Sequence, residues 1–567
     1  MTSEKRNKDM NLFTSNVIFL RIATIDMCND VPKVDTKTLT ADKVLLAESC
    51  PQRNRLIYAY QILLGRTLCK IPAFRQFRNL FPDHIPHEYS RKMSAVSKVF
   101  PLPVMFKNEA KHEDCLAIMD MYESELVQLY TKAFGSEELL RKFQCVVSGD
   151  QLTRVRLQEA KNLRTLSITP EKRFDDLNPM VCELWHSKQD FLEKCYKRLY
   201  KNKDTPGTLH YFKTLLHRSN INGIVKGRFR PHHNLLMVVG EAMVKEQFLE
   251  FFQMEDKDSS PIHDLLADIV KKTEEEQKQL LLNTLAQFIE YYGYCKCDKG
   301  VLPQDLQAVE QYQLQIADQT LMLVPQLVER KDDRLYNYCM QLCHWYMHIE
   351  EMNDTAKEGD LNRAVLNSQY CLPFFYSHSA LSKYLVENID YILKSEVLSS
   401  PLQRIRILEG SFTNCHGGIG KNVESDLVQE HSVCNQKKLI KSLGANKSEQ
   451  AISRVTKSAD AIHQICSNFD ASIELQPKSG RHSKPFSEVD ETRLHKILRK
   501  LRPFHYTSGR TCDGFNVDPV PLKSQDISKL EIRLNQIITR LTRGRTISTE
   551  EEDQQEENEI SDNLPPL

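Results

Sequence analysis

Three acidic side chains have the type and spacing that suit the handling of a divalent cation. Asp150 follows the apolar run Phe143-Gln144-Cys145-Val146-Val147 and the turn residues Ser148-Gly149. It is therefore expected where a strand gives way to a helix, exposed on a rigid edge. Asp426 and Glu430 are four apart in Asp426-Leu427-Val428-Gln429-Glu430-His431, and on a helix that spacing puts both carboxylates on one face. Metal-assisted phosphoryl chemistry needs several converging carboxylates. Asp150 and Glu430 are the candidate metal-holding pair, with Asp426 in support and Mg2+ or Mn2+ as the expected ion if the site is catalytic. His186 and His431 complete the catalytic candidates, as groups that orient a metal-bound water or a reacting group. An architectural reading stands beside this one: Asp150 caps the following helix, Glu430 pairs with Lys437 or Lys438 or faces water, and His186 is a hydrogen-bonded structural residue.

Other constellations carry less. Cys339, Cys343, His344 and His348 contain two i,i+4 pairs, but the cysteines and histidines lie about 100° apart round a helix, flanked by Tyr338, Leu342, Trp345 and Tyr346, which reads as a core helix rather than zinc. Cys295-Lys296-Cys297 lacks the two-residue gap of a zinc knuckle. The string Gly417-Gly418-Ile419-Gly420-Lys421-Asn422 has Cys415 where a phosphate loop needs its first glycine and Asn422 where it needs Ser or Thr, so nucleotide binding is rejected there.

The elements that must position these residues follow from hydrophobic period. Asn16 to Ile25 is β-branched and apolar enough for a strand, and from about Ala41 to Phe134 the pattern is that of short helices broken by prolines. Residues 143–147 read as a strand leading through a tight turn to a helix over 151–163. Met180 to Trp185 reads as a second strand ended by His186, with Phe191, Leu192, Cys195 and Leu199 on one side of the next helix. From about Gly207 to Leu398 helical periodicity dominates. The Gly-rich loop from Asn414 to Asn422 then delivers the chain to a helix beginning near Ser425. These readings divide the chain into an N-terminal strand plus helical region (1–135), a β/α core segment with Asp150 and His186 (136–205), a helical insertion (206–400), a loop and closing helices with Glu430 (401–475), a basic segment and amphipathic helix (476–545) and an acidic disordered tail (546–567). The fold class is α+β, mainly α.

Lys plus Arg and Asp plus Glu both number 76, so the whole-protein field has no strong sign and attraction to nucleic acid must come from local clusters. Two are candidates for DNA phosphates: Lys437, Lys438 and Lys441, and the run from Arg493 to Arg510. That run holds Arg493, Lys496, Arg499, Lys500 and Arg502, no acid, and Phe504 and Tyr506 interleaved. Ile527, Leu530, Leu534, Ile537 and Leu541 keep heptad spacing for only about two heptads, which favours packing on the body over a coiled coil. Val17-Ile18-Phe19-Leu20 is too short for a signal-peptide core or a membrane span, and the sixteen cysteines have no compact framework. An intracellular protein, nuclear or cytoplasmic, with reduced thiols and no membrane partner is expected.

Taken in order, Gly149-Asp150-Gln151-Leu152-Thr153, Trp185-His186, Glu358-Gly359-Asp360, Asn414 to Asn422, Asp426-Leu427 with Glu430-His431, and Leu443-Gly444-Ala445-Asn446 resemble an uncharacterised, transposon-associated family, domain of unknown function 6589, over roughly Met1 to Asp470. Its members resemble cut-and-paste transposases, whose ribonuclease-H-like core carries three acidic residues and often a large helical insertion before the last. The resemblance implies a small, incomplete ribonuclease-H-like sheet in which Asp150 is the second acid, the stretch to about Leu398 the insertion, and Glu430 the third acid. Two departures accompany it. The family's strand with an Asp-Asn-like motif would precede the region resembling Met1 to Ile25, so an N-terminally incomplete core is expected, and Val433-Cys434 replaces the family's Asn-Arg pair. The expected function is a transposase-like protein that binds DNA, with metal-dependent phosphodiester chemistry impaired or absent. The alternatives are a catalytically silent helical interaction protein, and a nuclease that borrows Glu183 or Asp426 as its missing acid.

Overall fold

Helices carry most of the chain, and pairs of short strands interrupt them. The computed structural model describes residues 10–46, 51–295, 308–317, 320–329, 332–445, 447–472 and 488–543. Strand β1 (Asn16–Phe19) pairs antiparallel with β2 (Lys98–Pro101), Asn16 opposite Pro101. Between and after them lie α1 (Pro51–Leu68), α2 (Ser90–Met93), α3 (His112–Phe134) and α4 (Glu138–Phe143). Next come β3 (Cys145–Gly149), α5 (Gln151–Leu163), β4 (Leu177–Cys182) and α6 (Leu184–Leu199). Helices α7 (Leu209–Leu215), α8 (Phe229–Phe251) and α9 (Glu274–Tyr291) precede a hairpin of β5 (Ala308–Ala317) and β6 (Thr320–Glu329), after which come α10 (Arg334–Glu358), α11 (Leu361–His378), α12 (Lys383–Ile392) and α13 (Pro401–Gly410). The two-residue strands β7 (Phe412–Thr413) and β8 (Val423–Glu424) bracket the Gly-rich loop, and α14 (Ser425–Ser442), α15 (Glu449–Lys457), α16 (Ala459–Ser472), α17 (Glu488–Leu501) and α18 (Ile527–Thr542) follow.

The unit that positions Asp150 is β3-α5-β4, two parallel strands joined by a helix. Gly149 ends β3, and the Asp150 side chain accepts the Thr153 N–H at 2.8 Å, which fixes the first turn of α5. β3 is packed from both faces. Cys145 and Val147 lie against a cluster containing Phe13, Ile118, Met119, Leu157 and Met180. Val146 lies against another containing Ile22, Met93, Leu361 and Leu408. A far larger cluster joins α1, α6, α8, α9, α10, α11 and α12, and its central helix α10 buries Trp345, Tyr338 and both His344 and His348.

Several boundaries differ from the sequence reading. The first strand stops at Phe19 because the backbone amides of Arg21 and Ile22 turn to the Glu409 carboxylate, Ile22 N–H at 3.1 and 3.2 Å, instead of to a neighbouring strand. β2 lies in a stretch read as helical; Pro101 and Pro103 obscure its short apolar run. The second strand of the core ends at Cys182, so Trp185 and His186 stand in the first turn of α6 rather than on the strand. The region read as helical from Gly207 to Leu398 also contains the β5–β6 hairpin, whose signal was readable: Tyr312, Leu314 and Ile316 alternate with glutamines. α18 packs Leu530, Leu534, Ile537 and Ile538 into the body, as the short heptad run suggests. The described cysteines are free thiols, most of them buried. Cys297 and the acidic run Glu550 to Asp562 lie outside the described residues. Among those described, no helix is long and apolar enough to cross a membrane.

Motifs that looked functional also serve the scaffold. In Glu358-Gly359-Asp360, Gly359 adopts the left-handed conformation (φ 65°) that ends α10, and Asp360 caps α11 through the Asn362 and Arg363 amides. Arg363, fully buried, reaches Glu351 at 3.0 Å, Asp354 at 2.9 Å and Asp360 at 3.0 Å, tying the corner together.

Buried Arg154 on α5 pairs through two nitrogens with buried Glu387 on α12, one bond at 2.8 Å. This pair pins the helix that Asp150 opens onto the helical body. Removing one partner leaves an uncompensated buried charge, which costs about 3–5 kcal/mol. Arg154→Leu is expected to lower the thermal unfolding midpoint markedly, and the double change Arg154→Leu with Glu387→Leu to recover most of the loss.

Candidate functional site

The C-terminal ends of β3 and β4 meet the start of α14, and three of the expected site residues come together there around His186. The His186 Nδ1 lies 2.9 Å from Asp426 Oδ2, and its Nε2 is 3.7 Å from Glu430 Oε1. The Trp185 ring meets the imidazole edge-on at 4.7 Å. Asp426 is buried and also accepts the Trp185 N–H at 3.1 Å and the His186 N–H at 2.9 Å. These are amides of the first turn of α6, which have no partner inside their own helix. A carboxylate from 240 positions along the chain therefore caps α6. α6's own N-cap residue, Glu183, makes no capping bond; its side chain instead accepts the Ser148 hydroxyl at the end of β3.

The electrostatics follow from burial. Burial first, and the nearby negative Asp426 second, push the Glu183 carboxyl up to about 8, against the Ser148 hydrogen bond and the Asp426 backbone N–H, which favour the anion. Glu183 is thus largely protonated at neutral pH, and its Oε2 is buried without a hydrogen-bond partner. For His186, burial opposes the charged form, but the hydrogen bond and charge of Asp426, with the charges of Asp150 and Glu430, outweigh it and raise the imidazole above its usual value.

Asp150 is half-buried at the edge of this group; one of its oxygens is engaged by Thr153 N–H, and the Thr153 hydroxyl donates to Glu109 at 2.8 Å. Glu430 is exposed. His431 is exposed on the next position of α14 and, among the described residues, makes no hydrogen bond or ion pair with the cluster. Among the described residues no three His, Cys, Asp or Glu side chains are disposed to hold a metal ion. The donor set fits Mg2+ or Mn2+ poorly as it is built. Asp426 spends its oxygens on α6 and His186, and the enclosed Glu183 carboxyl is engaged by the Ser148 hydroxyl. The sequence reading put Asp426 beside Glu430 as a metal helper; its burial against α6 gives it a different partner. Ser148 and the reciprocal contact between the two helix starts had no signal in the sequence, because they join segments far apart in the chain.

The Gly-rich loop holds α14 in place. The Asn414 amide donates to Gly418 O at 3.0 Å and accepts from Gly417 N–H at 2.7 Å, and Asn422 accepts from Arg21 at 2.9 Å. Gly420 sits at φ 70° with His84 so close that a Cβ would come within 2.5 Å of its ring. Loop closure, not phosphate contact, explains these residues.

The cysteines and histidines of α10 are core. His348 Nε2 lies 3.2 Å from the Cys371 thiol, and burial lowers His344 to about 4 and His348 to about 3.

The two basic clusters fare differently. Lys437, Lys438 and Lys441 are exposed on α14. In the second cluster Arg493, Lys496 and Lys500 are exposed, but Arg499 is bound by Glu246, Nε at 2.8 Å, and by the carbonyls of Met254 and Glu255, and Arg502 pairs with Glu250 at 3.0 Å. Phe504 is buried and Tyr506 packs on Tyr336. Arg499 and Arg502 are held by the protein's own carboxylates, and the interleaved aromatics serve packing.

The profile of a family of unknown function (DUF6589) matches residues 35–482, more than three quarters of the chain. The chain belongs to this family. No curated protein and no solved structure matches it.

Glu183, whose carboxyl titrates higher folded than in the unfolded chain, favours the folded state fully only below the ordinary carboxylate range, and loses that contribution as pH rises towards about 8. Glu183→Gln, which mimics the protonated acid, is expected to match the parent's thermal midpoint near about pH 5 and to exceed it by a few degrees above about pH 8. Asp426→Ala removes the cap of α6 and is expected to cost roughly 1–2 kcal/mol and to shift the His186 imidazole downward in an NMR titration.

Proposed function

We propose that this chain is a transposon-derived, transposase-like protein that binds DNA and in which metal-dependent phosphodiester chemistry is impaired or absent. The observation that carries the second half is the commitment of Asp426. It is buried, holds two amides of α6 and the His186 ring, and leaves Asp150 and Glu430 as the carboxylates open to a cation or a reacting group. Two-metal phosphoryl transfer needs more convergent charge than that pair supplies.

What supports the ribonuclease-H-like part of the reading is the plan of the core. A parallel β-α-β unit carries Asp150 at the end of its first strand, a long, mainly helical excursion follows the unit, and α14 returns to bring Glu430 to the same edge. Side chains at the C-terminal edge of parallel strands are well placed for a site. What supports DNA as the partner is the exposed lysine group on α14, the helix that carries Glu430. Within this arrangement the chain's own groups do limited work: Asp426 orients the His186 ring and stabilises its charged form, and His186 can take or give a proton at Nε2, beside Glu430.

The test is a pair of measurements on the purified chain: salt-dependent binding to duplex DNA, and cleavage or strand joining with Mg2+ or Mn2+, each beside Asp150→Ala and Glu430→Ala. Salt-sensitive binding with nuclease activity at background is the expected result. Robust cleavage lost in both variants overturns the impaired-site reading in favour of an active nuclease. Absence of DNA binding overturns the DNA-binding reading in favour of a helical interaction protein.

A further inference from the structure

We infer that the DNA-contacting surface is the joint face of α14 and α15, reaching Lys447, Arg454 and Lys457, and that the basic run on α17 is not part of it. The inference rests on the DNA-binding reading above and gives it a location. Residues 431–458 contain six Lys or Arg (Lys437, Lys438, Lys441, Lys447, Arg454 and Lys457) against the single acid Glu449, in a chain whose charges balance overall. All six are exposed, and none forms an ion pair among the described residues.

α15 packs against α14. On α15, Ile452 and Thr456 are buried while Arg454 and Lys457, three apart, share an outward side. On α14, Lys437 and Lys441 are four apart on one side, with Lys438 adjoining. From Glu430 to Lys441 the helix rises about 16 Å at about 1.5 Å per residue, a span over which a duplex presents several phosphates. The basic face therefore starts about two turns beyond Glu430 and leads away from the carboxylates around His186. α17 differs in part: Arg493, Lys496 and Lys500 are exposed there too, but other charges of the helix are bound. Arg499 and Arg502 are bound to Glu246 and Glu250, and Asp490 and Glu491 on the same helix are paired with Arg218 at 2.6 Å and Lys245 at 2.5 Å. Its charges chiefly fasten α17 to α8 and its surroundings.

Exposed lysines and arginines contact phosphates without regard to base sequence, so on the DNA-binding reading the duplex is recognised by its backbone. The competing occupant is an anionic lipid surface, because α16 beside this face exposes Ile465 (67%) and Phe469 (61%).

The experiment compares the full chain with two triple variants, Lys447→Gln/Arg454→Gln/Lys457→Gln on the α15 face and Arg493→Gln/Lys496→Gln/Lys500→Gln on α17. Each is titrated with a duplex of mixed sequence across salt, with thermal midpoints as folding controls. Neutralising three phosphate contacts reduces the slope of log K against log salt by about 2.7, so affinity between 50 and 200 mM salt falls about forty-fold less steeply. That change in the α15 variant, with the α17 variant like the parent, is the expected result. A parent that binds duplex and is weakened only by the α17 changes overturns the inference and leaves the DNA-binding reading standing. A parent that binds no duplex overturns both. Binding to phosphatidylserine-containing vesicles in preference to duplex overturns the inference in favour of a membrane surface.

Discussion

The geometry of the candidate site depends on one carboxylate being shared between two helices. Asp426, in the first turn of α14, fills the empty amide positions at the start of α6 and grips the His186 ring. A helix start carries several N–H groups with no internal partner and the positive end of its dipole, and burying that start against α14 without an acceptor would be costly. The Asp426 carboxylate removes that cost and joins the edge of the β3-β4 pair to α14. The positions of Glu430, of the α14 lysines and of the α15 surface behind them follow from that joint.

The joint has an electrostatic consequence. Burial first, and the neighbouring Asp426 charge second, raise the Glu183 carboxyl to about 8, against the Ser148 hydrogen bond, which favours its anion. The same charge works the other way on His186, which becomes easier to protonate. Two carboxylates of the same edge thus serve as a structural anion and a neutral hydrogen-bonding acid, and only the half-buried Asp150 and the exposed Glu430 keep the openness that a ligand requires. The arrangement suits fastening and proton handling better than the crowding of charge around metal ions.

Elsewhere the molecule spends its buried charge on alignment. Arg154 with Glu387, Arg21 with Glu409 and Arg499 with Glu246 each tie segments distant in sequence, and Arg363 with its three acids ties the corner between α10 and α11. Buried pairs of this kind contribute little net stability over apolar packing but are costly to break singly, so they act as registration points between helices. Arg499 and Arg502 of the second basic run are used in this way, whereas among the described residues none of the six cations from Lys437 to Lys457 is paired.

Local physics determined much of this from the residues alone. The mainly helical character, the strand-turn-helix around Asp150, the start of α14 near Ser425, the core nature of α10 and the packing of α18 all follow from period, capping and turn residues acting over a few positions. β2 was obscured by its prolines, while β5 and β6 were absorbed into the helical pattern around them although Tyr312, Leu314 and Ile316 alternate with glutamines. The start of α6 was misplaced because its cap comes from Asp426, and no local pattern can reveal a capping group supplied by another helix. Tertiary structure also decided which acids are open and which are spent, that Glu183 is neutral, and that Arg499 and Arg502 are occupied while the α14 lysines are free. Charge and hydrogen-bonding capacity are written in the sequence, but whether a group keeps that capacity for a ligand depends on which distant partner reaches it first.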